Sequence, residues 1–226
     1  MALTKYGSDV MITVVVIAAV LVGLALWTDV WWLQALLLAI AAFLVIFSLN
    51  FFRDPERSAD LKGRAGDDLV ICPADGKVVV IKPTTENEYL KGPAQQISIF
   101  MSPMDVHVNR SPMTGKVEYF RYVKGEFLVA HSDESTHRNE RAVIGLNSGG
   151  RKILFMQVAG YIARRIVCPV KVGDQLEAGK RFGMIKFGSR VDIFLPMNAD
   201  IMVKIGEMVK AGQTVIAELT TPESTA

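Results

Sequence analysis

Two uncharged apolar runs open the chain, VMITVVVIAAVLVGLALW at residues 10–27 and VWWLQALLLAIAAFLVIFSLN at residues 30–50. Only Thr28 and Asp29 separate them. At about 1.5 Å per residue, each is long enough as a helix for a hydrocarbon core about 30 Å thick. The pattern predicts a helical hairpin that either spans the membrane or dips into one leaflet. Trp27, Trp31 and Trp32 cluster at its turn, where amphipathic rings favour the membrane–water interface. A cleaved signal peptide would need a small-x-small site after the first run, and a second apolar run follows instead. Lys5 precedes the hairpin, Arg53, Arg57, Lys62 and Arg64 follow it, and the turn carries only Asp29. Positive-inside bias therefore puts both ends in the cytoplasm, with the rest of the chain on the cytoplasmic face of the cell membrane.

After residue 52 the period changes. Short β-branched or aromatic runs (residues 69–71, 78–81, 97–100, 117–120, 142–144, 153–156 and 191–194) alternate with Asp-Gly, Lys-Gly, Ser-Gly-Gly and Pro signals. Such runs between turn residues read as strands. The expected architecture is mainly β, a barrel-sandwich-like domain over 53–226 preceded by the membrane hairpin of 1–52. One internal echo supports it. Residues 171–179, KVGDQLEAG, resemble 204–212, KIGEMVKAG, as paired turns do in barrel-sandwich folds, and the glycines suit tight corners.

Composition narrows the function classes. The 226 residues are 50% hydrophobic and 21% charged, which suits a packed domain and excludes a disordered polymer. The net charge of +2 supplies no bulk basic field for nucleic acid. Residues 1–52 carry only Lys5, Asp9 and Asp29, leaving 24 basic and 21 acidic residues beyond them, a mild bias toward anionic lipid. Cys72 and Cys168 form no CxxC pair, so they read as buried thiols, with no metal site.

Three segments could carry chemistry. In GMIKFGSRVDIFLP, Gly188-Ser189 lies between two predicted strands. It reads as an ordinary turn, unless strain and a nearby base let the Ser189 hydroxyl attack the Gly188 carbonyl. In MSPMDVHVNRSP, His107 sits in a Pro-bracketed stretch, a structural histidine or a general acid–base group. In CPADGKV, Asp75 precedes a glycine in a tight turn, which is also ordinary hairpin chemistry.

Taken together, FFRDPER, PADGKV, MSPMDVHVNRSP, RNER and KFGSRVDIFLP, in this order, resemble the phosphatidylserine decarboxylase proenzymes of the short type. The resemblance runs from about residue 50 to the end. It implies self-cleavage between Gly188 and Ser189 into a β chain, 1–188, and an α chain, 189–226. It further implies a covalent pyruvoyl cofactor derived from Ser189, with Asp75 and His107 as catalytic residues. The substrate would be a phospholipid, bound as a Schiff base through its amine and released as phosphatidylethanolamine after loss of CO₂. Its acyl chains would keep the reaction at the membrane surface, since each CH₂ exposed to water costs about 0.8 kcal/mol. Arg110 stands where longer relatives have a second histidine, so His107 would drive cleavage alone or with His131 or His137. Arg110 and Arg190 are either phosphate- or carboxylate-steering groups or solvated surface residues. Whether copies of the chain associate is left open.

Two other classes compete. A membrane-tethered, non-enzymatic barrel-sandwich adaptor or carrier would use a lysine at a hairpin tip, with Lys186 as the candidate. An uncleaved homologue would only bind lipid.

Overall fold

The computed structural model describes residues 2–58, 68–126, 138–160, 165–186 and 189–219. The chain divides into two compact units, with the boundary between Glu56 and Arg57.

The first unit is a helical hairpin. α1 spans Ser8–Trp27 and α2 spans Trp31–Phe51; both are long and apolar enough to cross a membrane. An uncharged run in lipid must satisfy its backbone polar groups internally, which a helix does. α1 ends where Thr28 turns extended, and the Gln34 side chain donates to the Thr28 carbonyl at 2.6 Å. The buried residues within the helices are mainly small, Ala18, Ala25 and Ala41, while Leu26, Trp27 and Trp31 are exposed outward. That is the inverse of a soluble helical pair and suits a lipid surround. Residues 2–4 return along the end of α2: the Thr4 amide donates to the Phe52 carbonyl at 3.0 Å, and the Asp54 amide to Ala2 at 2.8 Å. This pairing explains why the first unit extends through Glu56, four residues past the end of the apolar pattern.

The second unit is a β structure. Its strands are β1 Leu69–Ile71, β2 Gly76–Glu86, β3 Gly92–Met101, β4 Val108–Arg110, β5 Gly115–Val123, β6 Arg141–Ser148 and β7 Arg151–Ala159. They continue as β8 Arg165–Val167, β9 Gln175–Leu176, β10 Arg181–Lys186, β11 Ser189–Pro196, β12 Asp200–Ile201, β13 Met208–Val209 and β14 Val215–Glu218. All seven runs marked in the sequence fall in strands. One eight-stranded sheet has the order β13-β2-β3-β11-β7-β6-β5-β9, and two three-stranded sheets have the orders β1-β14-β12 and β4-β10-β8. The main core, including Val78, Ile99, Ile144, Phe155 and Val191, lies on one face of the large sheet.

The strand orders are those of two seven-stranded repeats. β4 to β10 form one, inserted between β3 and β11 of the other. The match holds bond by bond. Cys72 donates to Thr214 as Ser111 donates to Lys180, and Gly206 donates to Val78 as Gly173 donates to Val117. Ile71 donates to Pro112 while Arg110 donates to Pro73; this reciprocity is that of an internal pseudo-two-fold. Even the register shifts agree, between Val78 and Val80 and between Val117 and Tyr119. The echo at 171–179 and 204–212 is one pair of matching turns, whose Gly179 and Gly212 have φ of +74° and +71°. A second pair, CPADGKV at 72–78 against SPMTGKV at 111–117, emerges only with the structure.

The repeat also fixes why glycine follows Asp75. A Cβ on Gly76 would lie 2.0 Å from the Phe100 carbonyl oxygen, and one on its counterpart Gly115 would lie 2.6 Å from that of Asn147. Gly149, by contrast, has nothing within 4 Å. Gly76→Ala is therefore expected to cost about 4 kcal/mol or more, and Gly149→Ala, with only its positive φ to strain it, about 1–2 kcal/mol. Thermal melting of the detergent-solubilised full chain checks this; equal losses would contradict it.

Burial also fixes the thiols. Cys72 is fully buried and donates to the Ala74 carbonyl at 2.9 Å, and burial pushes its thiol far above the ordinary range. Half-buried Cys168 is pushed up to about 12, again by burial. The thiolate is the reactive form, so both cysteines should resist iodoacetamide at pH 8 on the order of a thousand-fold better in the folded than in the denatured chain. Comparable labelling in the two states would contradict that.

Candidate active site

An inserted repeat needs two crossings of the chain, one inbound and one outbound. The inbound crossing joins β3 to β4 and carries His107. The outbound crossing joins β10 to β11 and ends at Ser189. The described residues at their ends lie side by side: Ser189 stands opposite Met101, the last residue of β3, and the Ile185 amide of β10 donates to the His107 carbonyl at 3.4 Å. Gly188, the other member of the expected scissile pair, falls outside the described residues, as do His131 and His137.

Ser189 is fully buried at the start of β11, between Met101 of β3 and Ala159 of β7. Strand alternation puts it on the core face with Val191, Ile193 and Leu195. Its hydroxyl lies 3.4 Å from the Met101 sulfur. Thioether sulfur only accepts, and weakly, so it orients the O–H without being able to take its proton.

The segment before His107 is a closed turn. The Asp105 amide donates to the Ser102 carbonyl at 2.9 Å, and the Asp105 carboxylate accepts from the Ser102 amide at 2.7 Å. His107 is fully buried, with Nδ1 2.9 Å from the Asp105 carbonyl. A carbonyl can only accept, so Nδ1 bears a proton, and Nε2 is the ring nitrogen left to act as a base.

Asp75 lies at the head of β2, roughly two strand spacings, about 10 Å, from Ser189 across β3. All of its side-chain hydrogen bonds among the described residues go elsewhere. One oxygen accepts from the Ala211 amide at 2.8 Å, and both pair with the Arg57 guanidinium, the second at 2.8 Å. Arg57 also donates to the Ala211 carbonyl at 3.0 Å. The matching turn of the other repeat uses Thr114, whose hydroxyl accepts from the Ala178 amide at 3.1 Å. Asp75 thus fills the acceptor position that Thr114 fills, and adds a charge held by Arg57. The structure brings Ser189 and His107 to one junction and gives Asp75 to its margin.

The two arginines are buried, so neither is a solvated surface residue. Arg190 is 1% exposed and lies on the opposite face of β11 from Ser189, against the Asp192 carboxylate at 2.8 Å. Alternation along one strand imposes that placement. Arg110 is also buried and donates to the Gly179 carbonyl at 3.0 Å, between the two echo turns. The carrier reading fails on Lys186: a carrier lysine must protrude, and this one is 3% exposed at the end of β10.

Two motifs gain roles the sequence did not disclose. FFRDPER supplies Arg57. RNER supplies Asn139, fully buried, which donates to the carbonyl of Ala159 at 2.7 Å and so closes the end of β7 beside Ser189. Arg138 of the same motif makes an exposed pair with Glu126, of little energetic weight.

The chain is similar to known proteins over most of its length. The family profile described as phosphatidylserine decarboxylase matches residues 44–217. The chain is 48% identical over 220 residues to the phosphatidylserine decarboxylase proenzyme of Chlorobium phaeovibrioides, covering 96% of this chain and 97% of that one. It is 45% identical over 206 residues to the proenzyme of Salinibacter ruber, covering 90% and 89%, and 44% identical over 217 residues to that of Chlorobium limicola, covering 95% and 99%.

The Arg57–Asp75 pair is almost fully shielded, its side chains 8% and 11% exposed. Removing one partner of such a pair typically costs about 3–5 kcal/mol, because the other charge is left stranded. Asp75→Thr, which copies Thr114, keeps the acceptor for Ala211 but strands Arg57. It should lower the melting temperature of the full chain by several degrees, and Arg57→Met in the same chain should recover most of the loss. Equal melting of the single and double variants would contradict this assignment.

Proposed function

The chain belongs to the phosphatidylserine decarboxylase family, and from that premise we propose that it is a proenzyme that cuts itself between Gly188 and Ser189 and then decarboxylates phosphatidylserine to phosphatidylethanolamine. The observation that carries the reading is the burial of Ser189 at the head of a doubly paired strand, beside the crossing that holds His107.

The cleavage needs only groups of the chain itself. The Ser189 oxygen attacks the Gly188 carbonyl carbon, the C–N bond breaks, and the hydroxyl proton ends on the Ser189 nitrogen. The result is an ester between residue 188 and the Ser189 side chain. A base removes the Ser189 α-proton, and the Gly188 carboxylate leaves from Cβ. The new double bond shifts to an imine, water replaces the nitrogen, and ammonia departs. Residues 1–188 end in a carboxylate, and 189–226 begin with a pyruvoyl group.

His107 is the proposed base, through Nε2, because its Nδ1 proton is committed to the Asp105 carbonyl. Asp75, the family's acid, takes part from the margin by holding the head of β2 with Arg57 and Ala211. The carbonyl side of the site fits the product. The core-face neighbours of Ser189, Met101 and Ala159, carry no amine that would consume a keto group. When formed, that group supplies an electron sink for the pair released with CO₂. Nε2 of His107 then returns a proton to the substrate's α-carbon.

A buried serine cannot meet a lipid. Separating residue 188 from 189 uncouples β10 from β11, and we propose that this opens the junction to substrate. The reaction runs at the membrane to which the two apolar helices attach the chain. Lys5 and Arg53 flank the hairpin's open end and Asp29 its turn, which supports a cytoplasmic β domain at the cell membrane.

Ser189→Ala should remain one uncut chain and release no CO₂ from carboxyl-labelled phosphatidylserine. His107→Ala should lose at least 100-fold in turnover or processing, in line with the usual weight of a general base, while melting near the wild type. Full turnover by either variant would contradict the assignment.

A further inference from the structure

The core face around Ser189 holds a polar group that neither the fold nor the chemistry above accounts for. Asn109 of β4 is fully buried. Its side-chain amide nitrogen lies 3.4 Å from the Pro73 carbonyl and 3.7 Å from the Met101 sulfur. Its oxygen accepts from Gln157 of β7, also fully buried, at 2.8 Å. The orientation is forced. The Pro73 carbonyl can only accept, so the Asn109 NH₂ faces it, its oxygen faces Gln157, and Gln157 must present its own NH₂. The Met101 sulfur, at the end of this chain of contacts, is the atom that orients the Ser189 hydroxyl.

The internal repeat supplies the control. Asn109 pairs with Gly183; at the matching place the other repeat pairs Val70 with Ala217, both fully buried and apolar. The fold is satisfied there without a polar group. Gly183 in turn has a specific reason to lack a side chain: a Cβ would lie 3.0 Å from the Gln157 amide nitrogen and 2.4 Å from the Val167 carbonyl. The absence of that atom lets Gln157 cross from the large sheet onto β4. The Gln157 oxygen, moreover, has no hydrogen-bond partner among the described residues, a cost to stability that apolar packing would avoid. An arrangement dearer than its own duplicate, ending at the nucleophile, points to function.

We propose that Gln157 and Asn109 are positioning residues for self-cleavage. Gln157 fixes the Asn109 carboxamide, Asn109 fixes the Met101 sulfur through an N–H···S contact, and Met101 holds the Ser189 hydroxyl in one rotamer. The sulfur engages the proton side of the oxygen and leaves its lone pairs directed for attack. This rests on the proposed cleavage at Gly188-Ser189 and adds the device that aims it.

The test uses the full chain in membranes. Asn109→Val/Gln157→Leu copies the apolar solution of the other repeat and removes both polar partners at once, so neither is stranded. Pulse–chase is expected to show cleavage at least tenfold slower than in the wild type, and Met101→Leu should slow it similarly. The same paired substitution placed in the uncut Ser189→Ala chain should melt within a few degrees of Ser189→Ala alone, which separates positioning from stability. Cleavage of the paired variant at the wild-type rate would overturn the proposal, as would slow cleavage accompanied by a large loss of melting temperature. If the wild type itself is never cut, the fault lies with the proposed cleavage and not with the relay.

Discussion

β11 is hydrogen-bonded along both edges, to β3 from Ser189 to Pro196 and to β7 from Ser189 to Phe194. The pairing begins at its first residue. Ser189 is therefore held by its own strand, and its position does not depend on the peptide bond that precedes it. A protein that converts an internal residue into a terminal reagent needs this constraint. The new end must stay where the precursor held it, and a strand at a sheet edge or a loop would fray instead. The seven residues that follow Ser189 in β11 are buried on both faces apart from the half-buried Pro196. That burial holds Ser189 far better than a single contact could.

The internal duplication explains where the site lies. Two copies of one seven-stranded unit, one inserted in the other, require two chain crossings at the same place. Neither belongs to the repeat, so their residues were not tied to its turn chemistry. His107 lies in the first crossing, and Ser189 opens the strand into which the second leads. Within the repeats the paired positions differ near the candidate site: Thr114 against Asp75, Val70 against Asn109, Ala217 against Gly183. In each pair the copy next to the site carries the residue that the fold alone does not require.

Much of this was legible in the sequence, for local reasons. Two long runs without charge mark apolar helices, and short β-branched runs between Gly and Pro signals mark strands. What stayed hidden depends on partners distant along the chain. Asp75 and Ala211 are 136 residues apart, and no local pattern tells that the acid serves a turn there. The second echo escaped because CPADGKV and SPMTGKV share only a proline and Gly-Lys-Val; their equivalence lies in backbone hydrogen bonds. The placement of Arg190 was within reach. In SRVDIFLP, Ser189, Val191, Ile193 and Leu195 fall on one face and Arg190, Asp192 and Phe194 on the other, so the arginine could not share the face of the serine. What no alternation could tell is that the second face is buried as well.

The central claim is that the mature protein is two chains, the second headed by a keto group made from Ser189. Intact-mass measurement on the purified wild type addresses it directly. The account predicts one species ending at Gly188 and a second, covering 189–226, lighter by one ammonia than a peptide that begins with serine. A single uncut species of 226 residues, or a second chain that begins with unmodified serine, would contradict it.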